Sequence, residues 1–173
     1  MTEKQENILK AALKLFAENG YASTSTSKVA KAAGVSEGLI FRHFGNKEGL
    51  LNSIRQMANE SLEQKMAPIL MTADPKEMLR KFLELPLQVE KADYEMWRLL
   101  YALKWQTNSY DSSANEPIRV MLKEAFKKLG YKDPLAEAEL VLTFMDGMVT
   151  AILLHEPDNK EDIINSLKDK YNI

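Results

Sequence analysis

Between Thr24 and Lys47 the chain sets hydroxyl and basic side chains at spacings suited to holding phosphate. Thr24 or Ser25 can cap a short helix, and Ser27 falls in its first turn. A helix N-terminus presents free N–H groups and partial positive charge, so it holds anions. Asn46 with Lys47 makes a second such terminus, at the start of a longer helix. Between them, Ser36 can cap a short helix from Glu37 to about His43 that carries Gly38, Leu39 and Arg42. In a major groove, Leu39 could touch a thymine methyl and Glu37 could accept from cytosine N4, while Gly38 would let the backbone come close. Phosphate contacts of this kind set register and groove contacts read sequence. For Lys28 and Arg42 the competing reading is a solvated surface charge. Glu37 is unfavourable near phosphates unless it bonds a base.

The elements that would position these residues are helices. Ile8, Ala11, Ala12, Leu15 and Phe16 form the stripe of a core-facing helix from about Lys4 to Asn19, closed by Gly20. A short helix reaching Ala33 turns Val29, Ala30 and Ala33 inward, and Gly34 supplies the turn into the helix capped by Ser36. Leu50, Ile54, Met57 and Ala58 mark the buried stripe of the long helix from Lys47, prolonged by Leu62 and Met66. Two short helices about a glycine turn, backed by longer amphipathic ones, describe a helix-turn-helix. Beyond it, Asp74-Pro75, Asn115 with Pro117, and Asp133-Pro134 each read as a cap with proline in the first turn. Thr107 to Asn115 reads as a loop, and a last amphipathic helix follows Asp158 with Ile163, Ile164, Leu167 and Tyr171 on one side. The reading is all-α, with about nine helices.

Bulk properties narrow the function. Among 173 residues there is no cysteine, which excludes disulfides and thiolate metal sites. His43 and His155 lie far apart, and no G-x-S-x-G nucleophile motif or phosphate-binding glycine loop occurs, so no enzyme, metal or cofactor is expected. No signal-peptide pattern opens the chain, and the apolar run Leu140 to Leu154 is too short for a bilayer and holds Asp146, so a cytoplasmic protein without a membrane partner is expected. The net charge of −2 hides an asymmetry: residues 1–50 carry seven basic against five acidic side chains, and residues 51–173 sixteen against twenty. That permits a DNA-binding head on an acidic body without requiring one.

The segment from Thr24 to Leu51 resembles the DNA-binding head of the tetracycline-repressor-like (TetR) family. Thr24, Ser25, Ala30, Ala33, Gly34, Val35, Ser36, Gly38, His43, Phe44, Asn46, Lys47, Glu48 and Leu50 match that family's pattern at fixed spacing. Val29 and Ile40 replace Ile and Leu, Thr26 stands where Val is common, and Leu39 where a small or hydroxylated residue is frequent. Phe41 replaces a Tyr whose hydroxyl typically reaches a phosphate. The resemblance implies a three-helix helix-turn-helix domain over residues 1–47 and a helical ligand-binding and dimerisation domain over 48–173. It implies a DNA-contacting set of Thr24, Ser25, Ser27, Lys28, Ser36, Glu37, Gly38, Leu39, Phe41, Arg42, His43 and Lys47, with His43 at a phosphate-contacting position.

For the body, the family dimerises through its last two long helices. Val141, Val149 and Ile152, with Ile163 and Leu167, are the expected interface. Phe82, Met96, Trp97, Tyr101, Trp105, Phe126, Phe144, Met145 and Met148 are either plain core or, as a set in a family with ligand cavities, the lining of a mostly apolar pocket. Asp146 could face a cationic ligand, bond across a dimer or reach solvent. The resulting expectation is a ligand-responsive repressor, a homodimer on palindromic double-stranded operator DNA. The alternative is a TetR-like co-activator or architectural module that binds protein without reading DNA sequence.

Overall fold

A computed structural model of the protein describes residues 1–106 and 115–173; the side chains of residues 105 and 106 lie outside that description. Most of the expected loop from Thr107 to Asn115 and the side chain of Trp105 therefore fall outside the described residues. Nine α-helices and two short 3-10 turns, with no strand, make up the described residues. They are α1 (Glu3–Asn19), α2 (Thr26–Ala33), α3 (Glu37–Phe44), α4 (Lys47–Leu70), α5 (Pro75–Glu84), α6 (Tyr94–Gln106), α7 (Glu116–Lys128), α8 (Pro134–His155) and α9 (Lys160–Lys170).

The helix starts follow local chemistry. Thr2 and Gln5 form a reciprocal capping box at α1. Ser25, not Thr24, caps α2 by accepting from the Lys28 N–H, and Asn46 accepts from the Gly49 N–H at 2.8 Å to open α4. Asp74 and Asp133 cap α5 and α8, each followed by a proline that has no N–H to leave unsatisfied.

The chain packs as two units. The first contains residues 1–62 and 92–106, so it takes in α1–α3, the front of α4 and all of α6. Its core joins Ile8, Leu9, Ala12 and Phe16 of α1 to Val29, Ala30, Ile40, Leu50, Leu51, Ile54 and Ala58, and to Met96, Leu99 and Leu103 of α6. Packing thus divides the chain inside α4, between Leu62 and Glu63, rather than at its first residue. Three helices of eight to seventeen residues bury too little apolar surface alone, and α4 and α6 complete the core. Met57 and Leu62, expected on the buried stripe of α4, are exposed.

The second unit holds residues 63–91 and 107–173. Met78, Leu79, Phe82 and Leu83 of α5, Leu122, Ala125 and Phe126 of α7, and Ala138, Val141, Met145, Met148, Ile152 and Leu153 of α8 are buried there, with Ile164 of α9. Phe126 stands 5.1 Å from the Tyr131 ring and 5.2 Å from that of Tyr171. The Tyr171 hydroxyl donates to Glu137 at 3.0 Å, and Lys168 meets Glu84 at 2.9 Å, so α9 is tied to both α8 and α5. At 22 residues α8 spans about 33 Å, which matches the apolar thickness of a bilayer. Its length therefore does not exclude a membrane span, as the shorter apolar run implied. One face of it nonetheless packs into this core, and Glu137, Glu139 and Asp146 lie along it.

Candidate nucleic-acid interface

The head holds α3 rigidly from its inner side. Ile40 is fully buried, and Phe44 packs against the same core. On the α2 side, the Thr26 hydroxyl donates to the Glu37 carboxylate at 2.6 Å. On the α1 side, Gln5 Nε2 lies 3.4 Å from His43 Nδ1. The α3–α4 corner is tighter still. Gly45 adopts φ 77° and ψ −53°, and the Asn46 N–H donates to the Phe44 carbonyl at 2.9 Å, a γ-turn whose positive φ suits glycine. A Cβ at Gly49, one turn into α4, would overlap that same Phe44 carbonyl oxygen.

Its outer side is open. Gly38, Phe41, Arg42 and His43 are exposed, Phe41 to 49%. Leu39 and Glu37 are half-buried beside them. Ser25 and Ser27 at the α2 terminus, and Ser36 at the α3 terminus, are exposed as well, and the Ser36 hydroxyl makes no capping bond. Lys28, also exposed, reaches back to the Ser23 carbonyl at 3.4 Å. Serine hydroxyls therefore stand at the N-termini of α2 and of α3 itself, and the outward face of α3 carries a guanidinium, an imidazole and an aromatic ring. This arrangement can hold phosphates at its edges and present side chains to a groove at its centre.

Three of the expected DNA contacts are committed inside the head. Thr24 is 1% exposed, and its hydroxyl donates to the Leu15 and Gly20 carbonyls at 3.1 and 3.0 Å. It closes the end of α1 and is not a phosphate ligand. Lys47 donates to the Tyr21 and Ala22 carbonyls at 3.0 and 3.2 Å, with its ammonium 4.6 Å from the centre of the Tyr21 ring. Its charge secures the α1–α2 turn. Glu37 is held by Thr26, so one carboxylate oxygen already has a donor. Sequence reasoning passed over Gly45 and Gly49; an isolated glycine in the first turn of an apolar-striped helix is the signal that marks Gly49.

The body residues separate between the two units. Met96 is buried in the head core and Trp97 half-buried against it. Tyr101 is half-buried, with the Lys104 ammonium 3.9 Å from its ring centre. Phe82, Phe126, Met145 and Met148 are buried in the second unit, and Phe144 is half-buried there. A cavity of about 180 Å³ in that unit is lined by Ile69, Leu70, Thr72, Ala73, Pro75, Met78, Met121, Glu124, Ala125 and Lys128, none of them among the nine residues expected around a ligand.

Val141 and Ile152 are each 1% exposed, buried in their own subunit, and so cannot meet a partner. Val149, Ile163 and Leu167 are half-buried. The outward stripe of α8 is instead Ala136, Leu140, Thr143, Gly147 and Leu154, with Leu140 57% and Leu154 72% exposed. Asp146 lies exposed at its edge.

A three-helix head of this geometry defines a helix-turn-helix domain. Residues 8–54 match the model of the bacterial regulatory proteins, tetR family. The HTH-type transcriptional regulator YerO of Bacillus subtilis is 38% identical over 84 residues, 47% of this chain and 29% of YerO; the chain thus aligns with under a third of that relative. The HTH-type transcriptional repressor AcnR of Corynebacterium glutamicum is 28% identical over 160 residues, 88% of this chain and 81% of AcnR. The crystal structure of AibR in complex with isovaleryl coenzyme A and operator DNA shares the fold, with a TM-score of 0.73 over 97% of both chains at 22% identity. The head, residues 8–54, is therefore similar to that of the bacterial regulatory proteins of the tetR family.

Proposed function

We propose that the protein is a ligand-responsive transcriptional repressor that binds a palindromic operator as a homodimer in the cytoplasm. The observation that carries the reading is the two-sided character of α3: its inner side is fixed by Ile40, Thr26–Glu37 and Gln5–His43, while Arg42 and Phe41 are exposed, as are Ser25 and Ser36 at the starts of α2 and α3. A protein-binding module has no need of exposed serine hydroxyls at the N-termini of both α2 and α3. No catalytic role is assigned to the chain, whose relatives are regulators.

Dimerisation rests on α8. Its outward stripe of Ala136, Leu140, Thr143, Gly147 and Leu154 combines exposed leucines with small residues that let another helix approach, and a second copy offers the same stripe across a two-fold axis. Two heads related in this way would fill half-sites ~34–36 Å apart. Ligand response is supported by AibR, which holds both isovaleryl coenzyme A and operator DNA. A small, mostly apolar effector that binds the body more tightly in one head spacing than another would shift DNA affinity by that difference.

The test is selection of duplexes from a random pool by the full chain. The expected product is an inverted repeat with half-sites one helical turn apart. Recovery of a single unrepeated half-site would refute the dimeric operator, and recovery of no preferred sequence would favour the protein-binding alternative.

A further inference from the structure

We propose that Arg42 reads a guanine in each operator half-site, with its guanidinium lying in the lane that Gly38 leaves open on α3. The inference rests on α3 being the helix that enters DNA, and names the base it selects.

Direction comes first. Ile40 is fully buried and fixes the inward side of α3. At about 100° per residue, Gly38 and Arg42 each lie about 200° of rotation from Ile40, on nearly the opposite side and about 40° from one another. Helical side chains lean toward the N-terminus, so the Arg42 stem lies over the turn that begins at Gly38.

Gly38 has no internal reason to be glycine. A Cβ built there meets nothing within 4 Å, and its φ is not positive. Gly49, by contrast, is required by the Phe44 carbonyl. A helical glycine weakens the helix that contains it. The missing side chain at Gly38 benefits only something arriving from outside, or a long neighbour that must lie flat across it.

Arg42 is also available. Glu37 is the one carboxylate on α3, and it already accepts from Thr26. Lys28 and Lys47 of the same head turn their ammonium groups to backbone carbonyls. The Arg42 guanidinium is exposed and takes part in no hydrogen bond or ion pair among the described residues. Its planar fork offers only donors, and guanine presents two acceptors, O6 and N7, side by side in the major groove. Adenine sets an amino donor beside N7 and thymine offers one acceptor, so neither matches both prongs.

The experiment takes the duplex selected by the wild-type chain and replaces each guanine in turn by 7-deazaguanine, which lacks the N7 acceptor. One guanine per half-site should lose on the order of 10- to 100-fold in affinity. In Arg42→Ala, checked for unchanged helical signal, the same replacement should cost less than about 2-fold, and Arg42→Lys should restore discrimination only in part because it has no planar fork. If Arg42→Ala keeps the guanine preference and weakens every duplex equally, Arg42 contacts phosphate and the proposal is overturned. If the wild-type chain selects no duplex at all, the DNA-binding reading itself fails and the proposal falls with it.

Discussion

α3 and α8 each leave one side uncovered, in chemically opposite ways. The outer side of α3 carries separate groups, a guanidinium, an imidazole and a half-exposed phenyl ring, and serines stand at the starts of α2 and α3. The outer side of α8 is nearly featureless, with two exposed leucines separated by Thr143 and Gly147. A surface with separate donors at fixed positions can distinguish one base edge from another. A smooth apolar stripe with small residues can bury area against a copy of itself. Under the proposed function, the difference assigns the two uncovered sides to different partners, DNA at α3 and a second subunit at α8.

The largest effect should come from disturbing the internal side of α3. Gly49→Ala forces a methyl into the Phe44 carbonyl and should cost more than about 3 kcal/mol, read as a large fall in melting temperature. Near-wild-type melting would show that the α3–α4 corner yields and that α3 is not rigidly placed. On α8, Leu140→Glu should leave folding within about 0.5 kcal/mol, because the residue is exposed, yet halve the mass measured by sedimentation. Ile152→Glu, one side over, should unfold the unit by burying a charge. A dimer that survives Leu140→Glu would move the interface away from this stripe.

These two helices were unequally legible in the sequence. The head was readable because its motif fixes residue types to positions: Ser25 and Asn46 cap where expected, and Ile40 faces inward as a Leu replacement must. What the motif could not show is that a polar group at a matching position has a partner inside the fold. Thr24 and Lys47 each take up backbone carbonyls contributed by residues up to 26 positions away. In α8, apolar residues occupy nearly the whole circumference, so periodicity gives no direction. Val141 and Ile152, expected at the interface, are buried, while Leu140 and Leu154 of the other stripe are exposed. The residues expected around a pocket come from both units. Met96 belongs to the head core and Phe126 to a ring cluster with Tyr131 and Tyr171, partners that lie near it in space and not at helical spacing.

A smaller effect should separate the glycines. Gly38→Ala should leave stability unchanged or raise it by up to about 1 kcal/mol, while weakening operator binding in a fluorescence-anisotropy titration. Unchanged binding would mean that nothing approaches α3 closely there. The smallest effect concerns Tyr171, whose hydroxyl is held well above its ordinary pKa by burial first and by its bond to Glu137 second. The folded state then keeps a proton that the unfolded chain releases above about pH 10, so this contribution is complete below pH 10 and is lost as pH rises beyond it. Denaturant titrations from pH 8 to 11 should show that decline shallower in Tyr171→Phe; equal slopes in the two proteins would remove Tyr171 as its source.

The most direct test of the account is the salt dependence of operator affinity in wild type and in a Ser25→Ala, Ser27→Ala, Ser36→Ala triple variant beside Arg42→Ala. Log affinity should fall linearly with log salt, with a slope of about −0.9 per phosphate neutralised. The triple variant, which changes no charge, should lose affinity by a similar factor on every duplex with the slope kept, because its hydroxyls position the head. Arg42→Ala should lose its preference for the operator over unrelated duplex. A wild-type affinity independent of salt, or an operator preference untouched by Arg42→Ala, would contradict the central claim that the outer side of α3 reads DNA.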